Sequence, residues 1–395
     1  MIAHDARRPL AIHTFTLATF IAASTAPTPL YRLYQAAWHF TPTLLTVIFA
    51  VYAFALLMAL LVGGRLSDHL GRRPVIVAAI ALDVVALVLF MVADGPAWLI
   101  VARLVQGVAT GIGMSTLAAA LLDLDRQRGA TVNSLAPMIG LGAGALGSTA
   151  MVVLAPAPLQ GVYVVLAVLL LAGLALTLRT PETAVRKPGA LASLRPHVAV
   201  PERARAALMA VTPLNVALWM LGGFYLSLMP SLVAKTTHST SPWLGGLTVT
   251  ALMLSGAIAV LAGLRHAALH ALVVGASLLA GGLLLVLVGA GTGSAVGLLV
   301  GSVIAGAGFG ASFLGAVRSV MPLAEPHERS RLMAAFYIES YVAFSVPTIA
   351  VGYVAQHQGL LTAINLYGGV IIALTLAALA WIVLRAQHVR APVAA

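Results

Sequence analysis

Long unbroken runs of apolar residues alternate along the chain with short breaks that carry proline, glycine or charge. The runs fall at 11–31, 42–64, 74–94, 97–122, 131–154, 160–179, 206–233, 244–264, 268–290, 294–318, 332–355 and 360–384. Each matches the roughly 20 apolar residues a helix needs to cross the hydrocarbon core. Asp94-Gly95-Pro96, Pro156-Ala157-Pro158 and Gly291-Thr292-Gly293 mark three of the breaks. A membrane β-barrel would instead show segments of about ten residues with alternating polarity. The runs are continuous and rich in Leu, Ala and Val, so the pattern predicts an all-α membrane protein with twelve transmembrane helices.

Composition agrees and closes off other classes. The chain has 395 residues, of which 61% are hydrophobic and 8% charged, and its mean hydropathy is +1.02. A soluble domain carries about 25% charged residues, so lipid must replace water as the main solvent. Twelve spans consume about 240 residues and leave about 155 for loops and tails, too few for a sizeable soluble domain. There is no cysteine, which excludes disulfides and thiolate metal sites. Asp5, Arg7 and Arg8 precede a full-length span rather than a short cleavable core, so no signal peptide is expected.

The formal net charge of +11 follows topology. With the N-terminus in the cytoplasm, 19 of the 22 Lys and Arg fall on cytoplasmic segments or their edges; the exceptions are Arg32, Arg103 and Lys235. The positive-inside rule then predicts cytoplasmic termini, and no nucleic-acid partner is needed to explain the charge. Residues 180–205 are rich in Arg, Pro and Ala and too polar to insert. They form a linker between six-helix bundles at 1–179 and 206–395. The bundles read as duplicates. Gly111-Ile-Gly113-Met-Ser115 recurs as Gly308-Phe-Gly310-Ala-Ser312, and Asp125-Arg-Gln-Arg128 as Glu328-Arg-Ser-Arg331, in the same order. Such internal duplication is common in transporters.

The loop after the second run reads Gly64-Arg-Leu-Ser-Asp68-His-Leu-Gly71-Arg72-Arg73-Pro74. It resembles the signature loop between spans 2 and 3 of the major facilitator superfamily. Arg103-Leu-Val-Gln106-Gly107 in span 4 resembles a motif of its drug:proton antiporter branch. The resemblance extends over essentially the whole chain. It implies the major facilitator fold, two pseudo-symmetric six-helix bundles working by alternating access. It also implies a cytoplasmic network of Gly64, Asp68, Gly71, Arg72 and Arg73, with Asp123 as a further partner of Arg72, that latches the halves and breaks during the cycle. Two departures stand out. The equivalent loop of the second half, Gly263 to His270, has no acid, and Gly140, Gly142, Gly144 and Gly147 of span 5 have no adjacent proline.

Ionisable groups inside a bilayer are expensive and point to function by default. Glu339 lies near mid-depth in span 11 and Asp83 near mid-depth in span 3. A carboxyl group removed from water can exchange a proton near neutral pH, which makes both candidates for proton coupling, Glu339 before Asp83. Arg103 suits an anionic substrate or a nearby carboxylate, and equally a structural role bonded to backbone carbonyls. Asn215 and Trp219 stand four apart and share a helix face, suited to a polar or aromatic substrate or to helix packing. Pro27 and Pro29 read as closing span 1, and Pro230 interrupts span 7 near its outer end. No catalytic or metal-binding constellation is present in the sequence, and no cofactor is expected.

The expectation is a secondary active transporter of the bacterial inner membrane, not an enzyme. Its partners are a small-molecule substrate, protons and membrane lipid, and it is expected to function as a monomer. Proton-coupled efflux of a small organic compound leads. Proton-coupled uptake of a small metabolite, such as an organic anion, and lipid flipping on the same fold are the alternatives.

Overall fold

The computed structural model describes residues 6–390, with side chains through Leu384; Asp5 and residues 391–395 lie outside the described residues. Helix is the regular structure throughout, and no strand occurs among the described residues. Twelve helices are long and apolar enough to cross a membrane: Arg7–Trp38, Pro42–Gly63, Arg72–Met91, Pro96–Leu124, Arg126–Leu154 and Pro158–Thr177 (spans 1 to 6), then Glu202–Ser227, Pro242–Gly263, Ala268–Thr292, Ala295–Leu323, Arg329–Gln358 and Leu360–Leu384 (spans 7 to 12). This is a multi-pass membrane protein.

The breaks seen in the sequence set the helix ends. Pro42, Pro96, Pro158 and Pro242 open their spans, where the missing N–H has no helical acceptor to lose. The Thr41 hydroxyl accepts from Leu44 N at 3.2 Å, and Ser294 caps span 10 in the same way at 3.1 Å. Gly293 ends span 9 in the left-handed region, φ 69°.

The chain divides into two compact units between His197 and Val198. In the first, span 4 packs on spans 2 and 3, span 1 on spans 4, 5 and 6, and span 3 on span 6. In the second, span 10 packs on spans 8 and 9, span 7 on spans 10, 11 and 12, and span 9 on span 12. Each pairing recurs six spans later, as duplication requires. Asp125 and Glu328 both stand at helix N-caps, opening spans 5 and 11.

Glycine stripes fix the register of this packing. Lipid is as apolar as the helices, so helices associate through close contact of small residues. A Cβ on Gly107 or Gly111 would strike span 2 at Tyr52, Ala55, Leu56 or Ala59. A Cβ on Gly306 or Gly310 would strike span 8 at Leu252, Ser255 or Gly256. By contact, Gly111 therefore corresponds to Gly310, two residues from the match suggested by the sequence motif.

One reading of the prolines is corrected. Span 1 does not close at Pro27 and Pro29. It breaks at Ala26 and resumes as a helix over Pro27–Trp38. Span 5 also carries a proline inside its helix, Pro137, three residues before Gly140.

Candidate functional site

The loop between spans 2 and 3 is a short helix, Leu66–Leu70, closed by Gly71 at φ 100°. That dihedral is strained for any residue with a Cβ. Gly64, in contrast, keeps an ordinary helical φ of −59°. The turn returns the chain into span 3 so that Arg72 faces backwards. Its guanidinium reaches Asp68 at 2.6 Å, Ser67 Oγ at 2.7 Å and Asp123 at 3.0 Å. Asp123 sits at the end of span 4, so one arginine ties two helices and their loop. Arg73 reaches the carbonyls of Leu178 and Thr180 at 3.4 Å each, at the end of span 6.

Glu182, beyond span 6, completes this arrangement. Its carboxylate accepts from Arg72 N at 2.7 Å, Arg73 N at 3.1 Å, Thr183 N at 3.0 Å and Ala184 N at 3.1 Å. It thereby caps the N-terminus of span 3 from 110 residues away in sequence. Partial burial pushes the carboxyl up, but the four backbone donors outweigh that and hold it below the usual glutamate range. Sequence reading missed Glu182 because its partner is a helix end rather than a complementary charge.

The equivalent loop of the second half has no acid, and the carbonyl oxygens take over. Arg318 Nη1 donates to Gly263 O, Leu264 O and His266 O at 3.3, 3.2 and 2.8 Å.

Within the first unit, Arg103 is 1% exposed. Its Nε and Nη2 both donate to the Tyr31 hydroxyl, at 2.9 and 2.7 Å. Nη1 donates to Ser24 O and to Gln106 Oε1, both at 2.8 Å. The Tyr31, Tyr52 and Phe90 rings lie 5.1–5.8 Å from the guanidinium carbon. These contacts converge on the break in span 1. Pro27 has no N–H, so Ala23 O loses its helical donor. Gln106 Nε2 supplies one instead at 3.1 Å, and Ser148 of span 5 donates to Ala26 O at 2.6 Å. The Arg103–Gln106 pair thus holds the discontinuous first span in shape.

Asp83 is fully buried nearby, with Gln106 and Arg103 as its polar neighbours. Neither of its oxygens has a hydrogen bond of ordinary geometry, and it makes no ion pair with Arg103. An ionised carboxylate so placed would be costly.

The second unit treats its acid differently. Glu339 is half-buried on span 11. Asn215 Nδ2 donates to its Oε1 at 2.9 Å and to Ser340 Oγ at 3.1 Å. Thr212 Oγ1 lies 2.9 Å from its Oε2 and 3.0 Å from Leu208 O. The Thr212 hydroxyl has one proton, and a carbonyl can only accept. When that proton points to Leu208 O, the contact with Glu339 needs a proton on the carboxyl; when it points to Glu339, the contact suits a carboxylate. The same heavy-atom arrangement serves both forms. Glu339 joins no ion pair among the described residues, and the groups that act on it are neutral.

Asn215 and Trp219 share the face of span 7 toward this acid, as expected for residues four apart. Trp219 packs against Tyr341 and Phe344 of span 11, ring centroids 5.1 and 5.6 Å away. Trp219 Nε1 and Asn215 Oδ1 are buried without a partner among the described residues. Pro213 lies between Thr212 and this pair, inside the helix; it removes the hydrogen bond that would stiffen span 7 there. Spans 7 and 11 meet closely a little further on, where a Cβ on Gly223 would strike Phe344 O and Thr348. The sequence candidates therefore resolve into three places: the loop between spans 2 and 3, the Arg103–Asp83 centre of the first unit, and the Glu339–Asn215–Trp219 centre of the second.

Two bundles of six helices with equivalent packing, each with a polar centre within its spans, define a polytopic α-helical membrane protein of two matching halves. The model of the Major Facilitator Superfamily matches residues 12–346, and the chain belongs to that family of transporters. Over 92 residues it is 36% identical to the multidrug resistance protein MdtL of Klebsiella pneumoniae (strain 342), a stretch covering 23% of this chain and 24% of that protein. Among solved structures it is similar to the human organic anion transporter MFSD10 (TETRAN), at TM-score 0.68 and 18% identity over 95% of this chain and 100% of that one. It is similar also to a mutant form of the nucleoside transporter NupG, at TM-score 0.73 and 13% identity over 95% and 99%. At these identities the structural likeness establishes the fold.

Proposed function

We propose that the protein is a proton-coupled antiporter that exports a small organic compound across the bacterial inner membrane by alternating access, with both termini cytoplasmic. The observation that carries this reading is Glu339. It is an acid at membrane depth, half-buried, bonded only to neutral donors and without a cationic partner among the described residues, beside an aromatic wall of Trp219, Tyr341 and Phe344. A proton or a substrate can satisfy such a group; a fixed ion pair would have removed it from exchange. Thr212 accommodates both of its protonation states. Asn215 and Trp219 are assigned to substrate recognition on the same face. Asp83 is a secondary coupling candidate, sealed from water in this conformation. The partial similarity to a multidrug resistance protein supports the export direction.

Uptake of an organic anion would draw on Arg103, whose guanidinium already bonds Tyr31, Ser24 and Gln106. That favours a structural assignment for Arg103 over an anion-binding one. The loop of Asp68, Gly71, Arg72, Arg73 and Asp123 is assigned to cytoplasmic gating. The test is a thermal-shift screen of organic compounds on the purified protein, since a ligand of the native state raises apparent stability. Hits are then assayed for pH-gradient-driven transport. Hits confined to organic anions, with binding lost in Arg103→Gln and unchanged in Trp219→Ala, would overturn the assignment.

A further inference from the structure

The segment after span 6 combines features that topology alone does not require. Between Thr183 and Pro201 the chain has Arg186, Lys187 and Arg195 and no acidic residue. All three cations are exposed, and none forms an ion pair among the described residues. Two bulky apolar side chains lie among them, Val185 at 82% and Leu191 at 83% exposure. A cytoplasmic charge signal would work equally well with small polar residues at both places. Apolar side chains of this size gain from leaving water.

The segment is also held rather than loose. Glu182 anchors its start on the N-terminus of span 3. Further along, Lys187 N donates to His69 O at 3.3 Å, and His69 Nδ1 lies 2.9 Å from Pro188 O. Gly189 then turns the chain at φ 96° into the short helix Ala190–Ser193. Arg186, Lys187 and Leu191 are thus presented from a backbone fixed on the loop between spans 2 and 3, a few residues beyond the membrane end of span 6.

From this juxtaposition we infer that residues 185–195 form a docking surface for the anionic lipid of the cytoplasmic leaflet, with Arg186, Lys187 and Arg195 on the headgroups and Val185 and Leu191 inserted at the interface. Charge complementarity selects the occupant. Cations near an anionic leaflet are attracted within about a Debye length, and apolar side chains entering the interface add to that attraction in proportion to the apolar area they bury. The inference rests on a cytoplasmic linker, which can be tested separately.

The absence of native cysteine gives a clean probe. Ala192→Cys, beside Leu191, is labelled with an environment-sensitive dye in reconstituted full-length protein, and quenching by spin-labelled lipids is measured. In phosphatidylcholine vesicles containing phosphatidylglycerol, strong quenching is expected, and several-fold less in phosphatidylcholine alone. Combining Arg186→Gln, Lys187→Gln and Arg195→Gln should abolish the dependence on anionic lipid. Combining Val185→Ser with Leu191→Ser should reduce quenching in both vesicle types. Equal quenching with and without anionic lipid would overturn the inference, as would a dye shielded from lipid and water alike, which means that protein covers the patch. Labelling of Ala192→Cys by a membrane-impermeant thiol reagent added outside intact cells would instead refute the topology on which the inference rests.

Discussion

The two halves each carry an acid within a span, Asp83 and Glu339, and surround them in opposite ways. Asp83 is sealed, lacks a hydrogen bond of ordinary geometry, and sits beside an arginine committed to the backbone of span 1. Glu339 is half-buried, bonds Asn215 and Thr212, and joins no ion pair among the described residues. A group that must give and take a proton needs partners for both forms and a route to water. The second half supplies such partners in Asn215 and Thr212 and leaves Glu339 only half-buried, whereas Asp83 is fully buried without them. The loops after spans 2 and 8 show the reverse asymmetry: the first half closes its loop with acids, the second with carbonyl oxygens facing Arg318. The helix packing recurs between the halves while their polar chemistry differs.

The largest effect that would sharpen this contrast is expected at Arg103. Arg103→Ala removes four hydrogen bonds to Tyr31, Ser24 and Gln106. At about 0.6 kcal/mol for each such bond in a membrane protein, the loss is about 2.4 kcal/mol, and at about 1.7 each it is at most about 7 kcal/mol. Thermal unfolding in detergent should show it, and Arg103→Lys should recover little, because an ammonium lacks the fork. A stable Arg103→Ala protein that no longer binds substrate would instead return Arg103 to the substrate site.

Thr212→Val should come next. It preserves shape and removes the hydroxyl facing Glu339. A hydrogen bond to a charged group contributes about 1.5–3 kcal/mol, so gradient-driven transport should fall by about tenfold or more. Thr212→Ser should restore most of it; equal activity of the Val variant would mean that Thr212 only packs. Asp68→Asn should be milder, because its ion pair with Arg72 is half-exposed, and exposed pairs contribute roughly 0–1 kcal/mol. Transport should decrease a few-fold at unchanged abundance. Wild-type rates would leave the loop a purely topogenic signal.

Glu182 offers the smallest effect and a pH signature. Its folded-state value lies below the unfolded one, so its stabilisation is complete above the ordinary glutamate range and is lost as pH falls through the folded value. The difference in melting temperature between wild type and Glu182→Gln should therefore be greatest at neutral pH and shrink in acid. A difference that grows on acidification would contradict the capping geometry.

Much of this was legible in the sequence. Apolar runs of membrane length set the number of spans, because lipid imposes one length on every helix. The Arg72–Asp68–Asp123 contacts followed from charges near adjoining helix ends. Less legible was whatever depended on backbone groups. Gln106 satisfies a carbonyl freed by Pro27, and Glu182 caps a helix from a distant loop, so neither role is written in charge or periodicity. Span 1 continuing past its prolines has the same origin, since the side chains that mend the break come from spans 4 and 5. Glu339 was found as a lone acid, but its partner Thr212 was not, because a threonine in an apolar run carries no distinguishing signal.

The central claim is that the coupling proton resides on Glu339. The direct measurement is substrate accumulation in proteoliposomes with and without an imposed pH gradient, for wild type, Glu339→Gln and Asp83→Asn. Glu339→Gln should lose accumulation against the substrate gradient while retaining substrate binding and counterflow exchange, and Asp83→Asn should still accumulate. Accumulation by Glu339→Gln under the pH gradient, with its loss in Asp83→Asn, would move the proton to the first half and contradict the account.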